Sequence, residues 1–197
     1  LASFTADSRR FAEAIEDLRF KFHKWDAYIN GVLRILAEAL VLTHGEHANA
    51  VNCCMKISAA LGRAEAVIRD DPQLMERIAI PRNLQAIIRE EPASFYQVAR
   101  YDLIPTAMGW MIPEFNEDAP GGFNEAIAAN ALFEQFLDQA SIAGDFGASF
   151  QTSMPPGSTV GIVYATGYAE DLQHMLILSD LLQELCLRVV LVSPEHL

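Results

Sequence analysis

Apolar residues recur at helical spacing through most of residues 7–91. Phe11, Ala14, Ile15, Leu18 and Phe22 form a first stripe, with Asp7 or Ser8 placed to cap the N-terminus of its helix. Ile29, Val32, Leu33, Leu36 and Leu40 form a second, which predicts a helix from about Trp25 to Leu42. That helix is expected to end around Thr43-His44-Gly45, where a glycine suits a C-terminal cap. A third helix is predicted over roughly Ala48–Arg69. Asp70-Asp71-Pro72 closes it and opens a short fourth with proline in its first turn, and Pro81 separates that from a last helical piece over Leu84–Arg89.

At Glu91-Pro92 the period shortens to two. Phe95–Ile104 and Met108–Phe115 are rich in aromatic and β-branched residues and predict strands. Thr106-Ala107-Met108-Gly109 between them offers a turn, so an antiparallel hairpin is the simplest arrangement. Pro120-Gly121-Gly122 is a sharp turn, and Asn124–Ala143 is again helical in pattern. Gly144–Gly157 is expected to be a loop and the best candidate for a mobile segment. The apolar run Ser158–Tyr164, the turn at Thr166-Gly167, the helix Ala169–Cys186 and the apolar run Arg188–Val192 make a βαβ unit. Its crossover is expected to be right-handed, and its short apolar strands imply a parallel sheet covered on both faces. The chain stops at Ser193-Pro194-Glu195-His196-Leu197, where such a pattern ordinarily continues, which reads as a truncation.

Charge and cysteine content narrow the partners. A formal charge of −12 argues against a nucleic-acid groove or an anionic membrane surface, both of which select basic patches. It leaves room for a nucleoside triphosphate, whose bound metal carries the compensating charge. Cys53, Cys54 and Cys186 are odd in number and lack metal-ligand spacing, and the adjacent Cys53 and Cys54 read as small core residues in a reducing compartment. No signal peptide and no bilayer-length apolar run are evident, and a cytoplasmic location is the expectation.

The candidate chemistry lies in the hairpin. Arg100, Asp102, Glu114 and Asn116 occur at every second position in two otherwise apolar runs, so a hairpin puts them on one patch. Three oxygen-bearing side chains suit magnesium, which takes hard oxygen ligands from the protein plus phosphates and water. A guanidinium suits a phosphate or a developing oxyanion. A solvated strand face with alternating charges has the same spacing, and spacing alone leaves both readings open.

The segment Val98–Gly122 resembles the metal-binding hairpin of the glutathionylspermidine synthetase-like, circularly permuted ATP-grasp ligases. Arg100-Tyr-Asp102, Glu114-Phe-Asn116 and Glu117-Asp118-Ala119-Pro120 stand at the motif positions, and Gly161–Asp171 is similar to the family's pre-ATP-grasp strand and turn. The resemblance covers about Ser94–Leu197. It implies Asp102, Glu114 and Asn116 as Mg2+ ligands, Asp102 also toward the ATP phosphates, and Arg100 facing the reacting phosphate and acyl group. It further implies ATP-dependent amide formation from a carboxylate and an amine through an acyl phosphate. Ala119 stands where glutathionylspermidine members carry a hydroxyl, so an acid or peptide other than glutathione is implied. Asp118, Ala119, Gly121 and Gly122 are the nearby substrate-side candidates. The lobes that hold adenine and triphosphate should follow Leu197, so this stretch alone is expected to be inactive.

Weaker candidates remain. Thr166, Gly167 and Tyr168 close a predicted parallel strand, where open α/β sheets place ligands, but an ordinary turn explains them as well. Glu170 and Asp171 are accounted for by the helix dipole. His44 and His47 flank a glycine and Glu46 on what reads as a loop, and lack a third ligand. The expected fold is α/β (α+β): a helical N-terminal layer over 1–92, then a pre-ATP-grasp region over 93–197 with a metal-carrying hairpin and a Rossmann-like βαβ unit. The rival function is a non-catalytic domain that keeps the fold and binds a partner through its helical face.

Overall fold

The computed structural model describes residues 2–3, 8–90, 98–117, 120–136, 144, 146–151 and 154–196, in a mixture of helices and small sheets. The chain divides into two compact units. One joins 1–41 to 120–197, and the other is 42–119.

In the first unit, helix α1 (Ser8–Phe20) buries Ala14, Ile15 and Leu18, three neighbours on the stripe read from the sequence. The helix expected over Trp25–Leu42 does not form. A 3₁₀ turn (Trp25–Ala27) leads into strands β2 (Tyr28–Ile29) and β3 (Val32–Leu33), and β4 (Glu38–Ala39) pairs with β1 (Ala2–Ser3). The cause is local. Asn30 and Gly31 take φ of +50° and +78°, the pair of positive values that a two-residue hairpin turn needs. Tyr28 then faces Leu33 and Ile29 faces Val32. Of the apolar stripe, Ile29, Val32 and Leu33 occupy exposed or half-exposed strand positions, and Leu36 and Leu40 are exposed outside any strand.

After Gly122, itself at φ +100°, the chain enters a π-helical stretch (Glu125–Ala129) and then α5 (Asn130–Glu134). Of the helix expected over Asn124–Ala143, residues 137–143 lie outside the described residues. Phe11 stacks on Phe133 with ring centroids 5.5 Å apart, which ties α1 to α5. The segment expected to be a loop over Gly144–Gly157 contains helix α6 (Phe146–Gln151).

The last part follows the sequence pattern closely. Strands β7 (Thr159–Val163) and β8 (Arg188–Val192) are parallel, in register from Thr159–Arg188 to Val163–Val192, and α7 (Ala169–Glu184) connects them. Ile162, Leu182 and Leu187 form the core, with Val160, Leu178, Val189 and Leu191 packed around it. The expectation of cover on both faces is not met among the described residues. Val163 and Val190, which point away from that core, are 46% and 40% exposed.

In the second unit, α2 runs from His44 to Asp70. Thr43 and Gly45 do not end a helix; they begin one. The Thr43 hydroxyl accepts the Glu46 backbone N–H while Glu46 reaches back to the Thr43 N–H, a reciprocal cap. His44 and His47 therefore lie in the first turn of a helix, not on a loop. Asp71 caps α3 (Pro72–Arg77), with proline in its first turn as the sequence predicts, and α4 (Arg82–Glu90) follows Pro81. Strands β5 (Arg100–Thr106) and β6 (Gly109–Asn116) form the expected hairpin, with residues 95–97 of the first expected strand outside the described residues, and Gly109 at φ +112° supports its turn. No described helix is long and apolar enough to cross a membrane.

Candidate functional site: one face of the β5–β6 hairpin

The hairpin register places Arg100 opposite Asn116 and Asp102 opposite Glu114. Directly opposed residues share a face, so the four polar side chains meet on one patch. Arg100 Nε donates to Asp102 Oδ1 at 2.8 Å and Nη2 donates to Oδ2 at 3.3 Å. The same Nη2 lies 3.8 Å from Glu114 Oε1, and Asn116 Nδ2 donates to that oxygen at 2.9 Å. Each of the four thus touches another member of the set, and the guanidinium spans both carboxylates.

The opposite face of the hairpin supports this arrangement. Tyr101 and Phe115 are cross-strand neighbours with ring centroids 4.8 Å apart. Trp110 Nε1 donates to the Glu46 carbonyl on α2 at 3.1 Å, and Cys53 Sγ lies 3.7 Å from the Trp110 carbonyl. One face is held against a helix and the other stays open. Cys53 and Cys54 are half-buried free thiols, and burial beside Cys53 pushes the Cys54 thiol up.

Two carboxylates and an amide oxygen on a half-exposed face form a hard-oxygen donor set of the kind magnesium takes, leaving positions for water and phosphate. The set fits such an ion in kind. It is not a site closed by protein alone: among the described residues, no three His, Cys, Asp or Glu side chains group to hold a metal. An incoming ion has to share Asp102 with Arg100 or displace it.

Of the other residues singled out from the sequence, Asp118 and Ala119 lie outside the described residues. Gly121, Gly122, Thr166 and Gly167 belong to the other compact unit. The Gly122 N–H donates to His174 Nε2 at 3.4 Å, and Thr166-Gly167 forms an exposed turn after β7.

A polar cluster that sequence reasoning missed lies in the first unit. Lys24, 7% exposed, sits 2.9 Å from Asp26 and 2.6 Å from Glu125. Arg34 also bonds Asp26 at 2.8 Å. Fully buried Asn124 donates to the Phe22 and Gln173 carbonyls, and Gln173 accepts the Trp25 N–H. Burial alone lowers an ammonium pKa, but bonding to Glu125 and Asp26 outweighs it and holds Lys24 above its ordinary value. Burial works against the Asp26 carboxylate, yet Lys24, Gln173 and Arg34 keep its pKa below the usual range. For His174, burial and then the Lys24 charge push the pKa down against the pull of Glu125, Glu170 and Asp26. The protonated Lys24 serves as a charge-paired strut between the 3₁₀ turn and the start of the π-helical stretch.

Family models, curated proteins and solved structures were each compared with the chain, and none matches it.

Proposed function

We propose that the open face of the hairpin is a magnesium–phosphate site of an ATP-dependent carboxylate–amine ligase. The observation that carries this reading is the meeting of Arg100, Asp102, Glu114 and Asn116 on one exposed face, all four in contact with one another through Arg100 and Glu114. The similarity to the glutathionylspermidine synthetase-like ligases at these same positions supplies the reaction class.

In that class a substrate carboxylate attacks the γ-phosphorus of ATP, and the bond to the bridging oxygen breaks to release ADP. The amine nitrogen then attacks the acyl carbon, phosphate leaves, and the nitrogen loses a proton to give the amide. Bound magnesium supplies neutralisation of phosphate charge. Asp102, Glu114 and Asn116 would hold it through their oxygens. Arg100 offers a planar, permanently charged fork to the transferring phosphoryl group, and its bond to Asp102 orients that fork beforehand. Asn116 gives its Nδ2–H to Glu114, so its amide would turn over to bring Oδ1 beside the two carboxylates around an ion. Phosphoryl transfer asks the protein mainly for positioning and charge, and these residues offer both.

The direct test is Mn2+ binding in place of Mg2+, followed by the loss of the free-ion electron paramagnetic signal. The chain is expected to bind Mn2+, and Asp102→Asn or Asn116→Ala to weaken binding at least tenfold with an unchanged circular dichroism spectrum. Equal binding by wild type and both variants would remove the metal assignment.

A second reading, a partner-binding domain without catalysis, is favoured by one observation. On α2, Met55 and Val67 are 64% and 60% exposed and Ala50 is its one buried residue, so the helix keeps much of its apolar surface accessible. It predicts no metal dependence at the hairpin.

A further inference from the structure

The open face of the hairpin does not end with its charged residues. One step toward the turn, Ile104 pairs with Met111, and these are 45% and 50% exposed. Strict alternation along β6 would set Ile112 and Trp110 beside Glu114 and send Met111 to the side of α2. The register shifts between Asp102 and Ile104 instead, so that Leu103 alone is passed by both Ile112 and Pro113. That is a β-bulge, and Pro113, with no N–H to give the ladder, suits it. Its effect is to hand Trp110 to the helix, where its indole N–H finds the Glu46 carbonyl, and to keep Met111 on the open face next to the carboxylates. Bulges beside binding sites commonly re-aim a side chain in this way.

An apolar cross-strand pair facing water does nothing for the core. It borders a patch of opposite chemistry, since i and i+2 along a strand are about 7 Å apart. Three side chains, counting Met108 at the turn, offer far less than the roughly 800 Å² per partner that a stable protein interface buries. They are enough for one small ligand. Methionine also adapts its shape to what it meets.

We infer that Ile104 and Met111 seat the non-polar part of a small amphiphilic acid whose anionic end is held by Arg100 and by the ion that Asp102 and Glu114 would bind. This rests on the proposed magnesium–phosphate site and gives its substrate a class: a carboxylate or phosphate ester that bears an alkyl or aryl group, in place of a wholly hydrophilic acid.

The test uses the chain loaded with Mn2+ and a series of phosphate probes: inorganic phosphate, then methyl, butyl and hexyl phosphate, with phenyl phosphate for an aryl group. Full burial of a methylene is worth close to a fourfold gain, so a seat open on one side should give about twofold per methylene. In Ile104→Thr/Met111→Thr, which keeps strand-compatible residues, the series should flatten while Mn2+ affinity stays as in wild type. Wild-type affinity that is independent of chain length, with Mn2+-dependent phosphate binding intact, overturns the apolar seat and leaves the metal site standing. Absence of any Mn2+-dependent phosphate binding overturns both. A gain with chain length that persists undiminished in the double variant places the apolar contact elsewhere and overturns the assignment to Ile104 and Met111.

Discussion

Replacing Arg100 by methionine keeps much of the side chain's apolar stem and removes its charge and its N–H donors. In wild type the guanidinium stands 2.8 Å from Asp102 and 3.8 Å from Glu114, so it masks two carboxylates that oppose each other directly across the hairpin. Without it, unit charges about 5 Å apart repel by about 0.8 kcal/mol in water-like surroundings, roughly halved by physiological salt. The lost Arg100–Asp102 pair adds about 0.2–1 kcal/mol, the range for exposed ion pairs, because the two side chains are 42% and 38% exposed. Arg100→Met should therefore cost about 0.5–1.5 kcal/mol, on the order of 1–5 °C in Tm for a chain of this size. Magnesium should reverse the loss. An ion at tenfold its Kd stabilises by about 1.4 kcal/mol, and in the variant it meets no competing cation. The assay is thermal unfolding of both proteins with millimolar MgCl2 or with NaCl at matched ionic strength. A larger magnesium-induced rise in Tm for Arg100→Met than for wild type is expected. Equal shifts, or none in either protein, would refute the reasoning.

Two further outcomes test the buried polar cluster. Lys24→Met removes the cation beside Glu125 and leaves Asp26 with Arg34; breaking a fully buried pair costs about 3–5 kcal/mol, and the partial exposure of both carboxylates brings this to about 2–3, read by urea unfolding. The pKa of His174 lies below its ordinary value in the folded protein, so as pH falls through 6.5 the unfolded chain takes up a proton more readily than the folded chain. Stability should fall with pH in that window, and the fall should be shallower in His174→Gln, measured by unfolding at pH 7.5, 6.5 and 5.5.

The hairpin was legible from sequence because alternation, turn and pairing act within 20 residues. The βαβ unit was legible for the same reason: each of its segments carries one unmixed pattern. The failure at Trp25–Leu42 came from giving apolar spacing priority over Asn30-Gly31, although two positive φ angles outweigh a stripe that lacks a core to face. Thr43 and Glu46 carried a readable start signal, obscured by treating Gly45 as a stop. Pro113 announced a bulge, which no period-two reading accommodates. Lys24, Asp26, Asn124, Glu125 and Gln173 are joined across some hundred residues of chain, and no local pattern in any of them signals the others. For the patch itself, residue spacing supplied the neighbours but not the bonding that ties Arg100 to Asp102.

The parallel pair β7–β8 has a practical consequence. Among the described residues neither strand has a second strand beside it, so each presents one unpaired margin, and Val163 and Val190 add greasy surface between them. Material concentrated for calorimetry or resonance work should tend to stack strand upon strand, and a lysine in place of Val190 is the simplest repellent to add.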